Sequence, residues 1–190
     1  MKMIVIGNGP IEGKKGAEID KFDIVVRMSH FKTKGYEEIC GSKTDVWAVS
    51  NLWDTTGRED IPIIWCANPG GIYGVPFNKV QEHYGKGKVR CPSQESVNEL
   101  YTALGYDKNP HKHPTLGLFT ISMAIEAAHF LFETVAITGF TFNKEYFNTG
   151  KCKFYFDTDT PPAHKADGHD YDSERNLVDT LVKGGLLRWI

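Results

Sequence analysis

A single α/β domain, with a mostly parallel twisted sheet flanked by helices, is the fold the sequence predicts. Three observations carry it. Short, uninterrupted apolar runs of the kind that form buried strands alternate with segments of helical spacing. Gly7 and Gly139 stand directly after two of those runs, and Asn68-Pro69-Gly70-Gly71 closes a third, where an open sheet needs tight turns. The chain has 190 residues, enough to bury one core without a disulfide or metal staple. No repeat, low-complexity tract or linker divides residues 1–190, so one domain is expected.

The elements follow in order. Met3–Ile6 is a β-branched run closed by Gly7, a first strand. Asp23–Met28, Asp45–Ser50 and Ile61–Ala67 read as the next three, the last closed by Asn68-Pro69-Gly70-Gly71. Val75–Tyr84 and Ser93–Leu104 have helical spacing, with Ser93 an N-cap after Pro92 and a short strand at Lys88–Cys91 between them. Thr115–Phe132 is the longest helix, with Ile121, Ala124, Ile125, Ala128 and Leu131 on one stripe. Thr134–Thr138 is a strand ending at Gly139, Phe140–Ala166 is irregular, and Ser173–Lys183 is a helix stopped by Gly184-Gly185.

Composition excludes several classes. With 22 basic and 24 acidic side chains the net charge is −2, unlike the basic stripe a nucleic-acid binder carries. The four cysteines contain no CxxC pair, which removes zinc-ribbon and thioredoxin motifs and leaves reduced thiols of a cytosolic protein as the plain reading. The apolar start at Met1–Gly7 is too short for a signal peptide, and Leu116–Phe132 is broken by Thr120, Ser122, Glu126 and His129.

Four constellations could carry chemistry. Gly7-Asn8-Gly9 follows the first strand, where a glycine turn lets backbone approach a phosphate or ribose. It lacks the third glycine of a dinucleotide fingerprint, because Glu12 stands there, and Arg27 and Ser29 replace the expected second-strand acid. Lys14-Lys15 lacks a P-loop frame. His113-Pro114-Thr115-Leu116-Gly117 opens the long helix, whose N-terminus is either simply capped or an anion site. His169 precedes the last helix, whose field would favour a neutral, basic imidazole, while Glu174 fits a first-turn acid. Asp157-Thr158-Asp159 resembles a divalent-ion pair. The histidines at 111, 113, 164 and 169 match no zinc spacing.

Taken in order, these segments resemble the eukaryotic-type sialyltransferases, a glycosyltransferase family with a variant GT-A, Rossmann-like fold. Its large motif is similar to Ile4–Asp45, through Val5–Gly9, Ile19-Asp20 with Asp23, Val26-Arg27-Met28, Gly35-Tyr36-Glu37 and Gly41–Asp45. The small motif resembles His113–Gly117 continuing through Val135–Phe140, the third Phe154-Tyr155-Phe156-Asp157, and the very small one His169 to Glu174. Three positions depart from the pattern: Ser29 replaces a usual Asn, Leu116 a small hydroxyl residue, and Phe154 a His.

The resemblance implies an inverting, metal-independent transferase that moves sialic acid, or a related acid sugar such as Kdo, from a CMP-sugar to a glycan hydroxyl. His169 would be the general base. Gly7, Asn8, Gly9 and Ser29 would contact the donor nucleotide, and Thr115, Leu116 and Gly117 its ribose or phosphate, with Arg27, Tyr155, Asp157 and Glu174 as further candidates. No metal or other cofactor is expected. The implied partners are the CMP-sugar and a glycan acceptor, without nucleic acid or a membrane span; a peripheral membrane contact stays open. The disulfide between the large and small motifs is not expected, since Met3 or a neighbour and Phe132 occupy its positions. With no N-terminal anchor and stem, the resemblance implies a cytoplasmic bacterial or viral relative. Two rivals stand beside this reading: a metal-dependent transferase using Asp157 and Asp159, and a nucleotide- or glycan-binding module without catalysis. The acceptor segments would be Asn51–Gly74 and Thr141–Ala166, with Trp53, Trp65, Tyr73 and Tyr146 available for sugar stacking or core packing.

Overall fold

A computed structural model describes residues 1–50, 52, 55–66, 76–109, 111–130, 134–142, 154–156 and 168–190. In chain order the elements are β1 (Met3–Ile6), α1 (Gly16–Ile19), β2 (Ile24–Met28), α2 (Glu37–Cys40), β3 (Val46–Val49), β4 (Ile63–Cys66), α3 (Phe77–Tyr84), β5 (Val89–Arg90), α4 (Gln94–Ala103), α5 (Leu116–His129), β6 (Val135–Thr138), α6 (Tyr171–Lys183) and β7 (Leu187–Trp189). A single 3-10 turn, Tyr106–Lys108, follows α4.

The strands form one seven-stranded sheet in the order β5-β4-β3-β2-β1-β6-β7, with every pairing parallel. Strand order reverses between β1 and β6: the chain builds outward from β1 to β5, then returns to the other side of β1. In an open parallel sheet that reversal opens a crevice beyond the carboxyl ends of the two flanking strands. Ile6 stands level with both Arg27 and Thr138, so the turns beginning at Gly7 and Gly139 leave the sheet side by side.

Strand side chains divide by the period of two between two covered faces. Met3, Val5, Val26, Met28, Val46 and Ala48 pack on one face against Leu118, Phe119, Ile121 and Ala124 of α5, with Leu100 of α4 and Val178 of α6. Ile4, Ile6, Val25 and Ala136 face the other way onto Ile19 and Phe22. Beside them Trp47, Val49, Ile64 and Cys66 meet Val80 and Tyr84 of α3. This is why the strand runs read as continuously apolar.

All six sequence-derived strands form, β1 with the expected bounds and the other five shortened by one or two residues at one or both ends. Ser93 caps α4 as expected, its hydroxyl accepting from the Ser96 N–H. Four differences stand out. The four-residue helices α1 and α2 and the strand β7 were not foreseen, and α6 begins at Tyr171, capped by Asp170, whose carboxylate accepts from the Ser173 N–H. On the α5 stripe Ile121, Ala124 and Ala128 are buried and Ile125 half-buried, while Leu131 lies outside the described residues. So do Ala67 to Val75 and the sequence-derived sites Asn51, Trp53, Tyr73, Tyr146, Asp157, Asp159 and His164. Trp65 is a core residue, 7% exposed, which takes it out of the sugar-stacking set.

Candidate active site

The crevice is built from glycine contacts. Gly7 N–H donates to the Thr138 carbonyl at 2.8 Å and Gly9 N–H to the Gly139 carbonyl at 2.7 Å, tying the two turns together. A Cβ on Gly7 would lie 2.2 Å from the Gly139 oxygen, and one on Gly139, at φ +71°, would lie 2.6 Å from the Gly7 oxygen. The absent side chains thus serve turn-to-turn packing as well as leaving backbone near the crevice. Phe140 continues the junction. Its ring lies 3.2 Å from the place a Gly7 Cβ would take and 3.1 Å from that of Gly117, which brings the first turn of α5 against both.

Asn8 bridges the crevice to β2: its amide donates to the Met28 carbonyl at 3.2 Å. Its Oδ1 is buried and has no donor among the described residues. Ser29, after β2, adopts φ +55°, a left-handed backbone unusual for a side chain other than Gly or Asn. The carbonyl of Ser29 accepts from the Trp47 indole and the Arg58 guanidinium, both at 2.8 Å. Arg58 also donates to the Phe31 carbonyl at 3.0 Å and lies 4.3 Å from the rings of Phe31 and Trp47. Sequence reasoning missed Arg58, which holds the 29–31 turn by a planar fork between two rings.

The small and very small motifs dock on each other. His113 N–H donates to the Gly168 carbonyl at 3.0 Å, and His169 Nδ1 lies 2.8 Å from the His113 carbonyl. A carbonyl can only accept, so Nδ1 carries the hydrogen and Nε2 holds the basic lone pair. The two imidazoles meet edge to face, 4.4 Å between centroids, and the His113 ring fills the space a Gly168 side chain would need. Both histidines are held below the usual imidazole range. Burial lowers His113 to about 4, helped by His169 and Lys112. For His169 burial dominates, the His113 carbonyl opposes it, and Lys112 adds to it. The direction is the one expected from the field of the last helix, but its main cause is burial.

Glu174 is the second link. It lies in the first turn of α6, but its carboxylate reaches across to α5, accepting from the Thr115 N–H at 2.8 Å and hydroxyl at 2.6 Å. The same hydroxyl accepts from the Leu118 N–H as the α5 N-cap. Thr115 thus spends its hydroxyl hydrogen on Glu174, leaving the ribose or phosphate contact expected of it to an oxygen lone pair and neighbouring amides. Glu174 is fully buried, and desolvation raises its pKa to about 7 against the lowering effect of the Thr115 bonds, with Asp170 adding to the rise. Leu116 is half-buried against the main core, and its carbonyl accepts from Thr120.

Two further candidates face the scaffold. Arg27, fully buried, donates to the carbonyls of Cys40, Gly41 and Lys43 and to the Thr44 hydroxyl. Asp20 holds the same segment through Ser42 and Lys43; burial would raise its pKa, but those N–H bonds and Arg27 keep it below the usual carboxylate range. Tyr155 N–H donates to the Asn8 carbonyl at 3.0 Å and its hydroxyl to the Lys32 carbonyl at 2.7 Å, bracing the Asn8 turn against the chain after β2. Phe154 stacks on Phe156, 5.3 Å between centroids, against the small cluster that holds Cys40 and Tyr155. Asp157 lies outside the described residues. Among the described residues no group of three or more His, Cys, Asp and Glu is placed to hold a metal ion, and no helix is long and apolar enough to cross a membrane.

A doubly wound α/β protein with a built crevice at its switch point is the class this geometry defines. The sequence model of glycosyltransferase family 29 (sialyltransferase) matches residues 2–52 and 74–186, and the chain belongs to that family. It is 24% identical over 214 residues to the mouse type 2 lactosamine alpha-2,3-sialyltransferase and 23% to the rat protein of that name, matching over 96% of its own length. The chain spans 62% of the length of these curated relatives. Its fold is similar to that of the Campylobacter jejuni sialyltransferase CstII in complex with CMP-3FNeuAc, with TM-score 0.63, 18% identity, and coverage of 100% of this chain and 81% of that one. A mammalian sialyltransferase in complex with Gal-beta-1-3GalNAc-ortho-nitrophenol superposes with TM-score 0.61 and 18% identity, over 100% and 68%.

Proposed function

We propose that the chain is a glycosyltransferase that moves sialic acid, or a Kdo-like acid sugar, from a CMP-sugar to a glycan hydroxyl with inversion and without a metal ion. The observation that carries this reading is the junction itself. In a chain of this family, the Gly7, Gly139 and Gly117 turns meet around Phe140, and His169 is fixed to the same α5 entry through His113. The Asn8 Oδ1, without a donor among the described residues, supports a ligand at that place, since a buried acceptor without a donor costs about 1–3 kcal/mol and a nucleotide hydroxyl or amino group would relieve it.

The chemistry follows from the residues present. First-turn amides of a helix have no intrahelical acceptor, so those of Leu116 and Gly117 can donate to the phosphate as it leaves. The Nε2 lone pair of His169 takes the proton from the acceptor hydroxyl while its oxygen bonds to the anomeric carbon. The bond from that carbon to the phosphate oxygen breaks, and its electron pair leaves with CMP. The imidazolium keeps its Nδ1 hydrogen on the His113 carbonyl. Such proton transfer is worth roughly 10²–10⁴-fold.

Calorimetric titration with CMP is the test: binding is expected, and no heat at millimolar CMP removes the reading. His169→Ala is expected to keep CMP affinity while transfer falls roughly 10²–10⁴-fold; equal loss of both would make His169 structural. Undiminished transfer in EDTA is expected, and its loss would favour the Asp157 and Asp159 reading. The family motif begins with His where Phe154 is stacked on Phe156, which favours a second reading, a CMP-sugar binder without turnover. That protein would release no CMP from a CMP-sugar.

A further inference from the structure

We propose that Cys66 and Cys91 form an oxidation site, a thiol pair across the β4–β5 ladder that closes to a disulfide by exchange with a small-molecule disulfide. The ladder pairs Ile64 with Val89 and Trp65 with Arg90, so the next residue along each of the two parallel strands is a cysteine. Neighbouring strands run about 4.8 Å apart, inside the roughly 4.4–6.8 Å Cα separation that disulfides span. Both side chains belong to the cluster under β3 and β4 with Val80 and Tyr84. Cys40 packs in a separate cluster with Tyr155 and Phe156.

Exposure sets the order of events. Cys91 is partly exposed and Cys66 is 3% exposed, so exchange begins at Cys91. Its sulfur loses its proton to solvent and attacks one sulfur of the small disulfide, releasing one small thiol and leaving a mixed disulfide. Cys66, deprotonated in turn, attacks the Cys91 sulfur and expels the second small thiol. Two electrons pass from the pair to the reagent, which leaves as two thiols. The neighbouring Cys66 thiol, and burial after it, push the Cys91 thiol up, so exchange is slow at neutral pH and quickens in mild alkali. Closure staples the two-residue edge strand β5 to β4.

The test incubates the folded protein with excess oxidised glutathione at mildly alkaline pH, followed by intact mass, peptide mapping and thermal unfolding. The expected product has lost two hydrogens, carries no glutathione at either position, and links the Cys66 and Cys91 peptides. Its Tm rises by about 5–10 °C, from closing a loop of about 25 residues, and dithiothreitol reverses the rise. Cys66→Ser and Cys91→Ser are expected to show no rise. A stable glutathione adduct on either cysteine in the unsubstituted protein, both thiols remaining free, a link to Cys40 or Cys152, or a lowered Tm overturns the proposal.

Discussion

Ser29 holds a backbone at φ +55° at the end of β2, where its carbonyl is the shared acceptor of Trp47 and Arg58. The left-handed region costs most side chains about 1 kcal/mol or more, and Asn least among residues other than Gly. Ser29→Asn is therefore expected to raise the unfolding free energy by about 0.5 kcal/mol, and Ser29→Val to lower it by about 1–2 kcal/mol, both read from urea denaturation. The Asn usual at this position in the family resemblance then has a conformational reason apart from any nucleotide contact. Arg58→Lys keeps the charge but loses the fork that reaches two carbonyls, and a cost of about 1–2 kcal/mol is expected, with CMP bound several-fold more weakly. Neither residue was legible beforehand as a pair, because Arg58 lies in a polar stretch with no spacing that points back to residue 29. For His169, held below the ordinary imidazole range, the transfer rate is expected to fall as pH drops through a midpoint below about 6.5. A midpoint at or above that value in the pH–rate profile counts against His169 as the base.

Between elements, the clamp from α6 to α5 shows what motif spacing can and cannot disclose. The sequence places His113-Pro114-Thr115 at one helix start and His169 to Glu174 at another, each sensible as local capping. That Glu174 caps the other helix's threonine is a long-range fact, since the two segments are 59 residues apart. Glu174→Ala removes the acceptor of the part-buried Thr115 N–H and hydroxyl, and a loss of about 2 kcal/mol is expected; Glu174→Gln, which keeps one carbonyl, should lose about half of that. The carboxyl also sets a pH dependence. Its folded pKa of about 7 exceeds the ordinary 4.5, so the folded state binds the extra proton between those values. Stability from this group is full below about pH 4.5 and falls as pH rises through about 7, by about 3 kcal/mol in all. Chemical denaturation at pH 5 and pH 8 should show that fall in the wild type and its absence in Glu174→Gln. The elements themselves were readable where they were long: α5 has four turns of apolar periodicity. Helices α1 and α2, four residues each, are too short for any period to show and are set by packing around Asp20 and Arg27.

Across the whole molecule, the alternation of apolar runs and helices was enough to specify a parallel, doubly covered sheet, because the central strands β1, β2, β3 and β6 are buried on both faces. Strand order was not readable, and it is the order that makes the crevice: β6 returns beside β1, bringing Gly139 to Gly7. What then keeps β6 from being the sheet's edge is β7. Its sequence, Leu187-Arg188-Trp189, gives no strand pattern, since Leu187 alone is buried. The partner strand decides it: Leu187 pairs with Val135, Arg188 with Ala136 and Trp189 with Ile137; beyond them the Ile190 N–H donates to the Ile137 carbonyl and the Ile190 main-chain oxygen accepts from the Thr138 hydroxyl. A chain ending after Leu186 would expose β6 from Val135 to Thr138 and lose the burial of Leu187. Burial of one leucine and a few ladder bonds amounts to about 3–5 kcal/mol, a large part of the 5–15 kcal/mol typical of a domain. Because Gly139 follows Thr138 directly, loosening β6 loosens the turn that packs on Gly7 and Gly9. The truncated chain is therefore expected to lose amide-exchange protection along β6 first and CMP affinity with it, while the β3, β4 and β5 amides, at the far edge, keep their relative protection. Equal loss across all strands would mean that the sheet opens as one unit and that β7 holds the fold rather than the crevice.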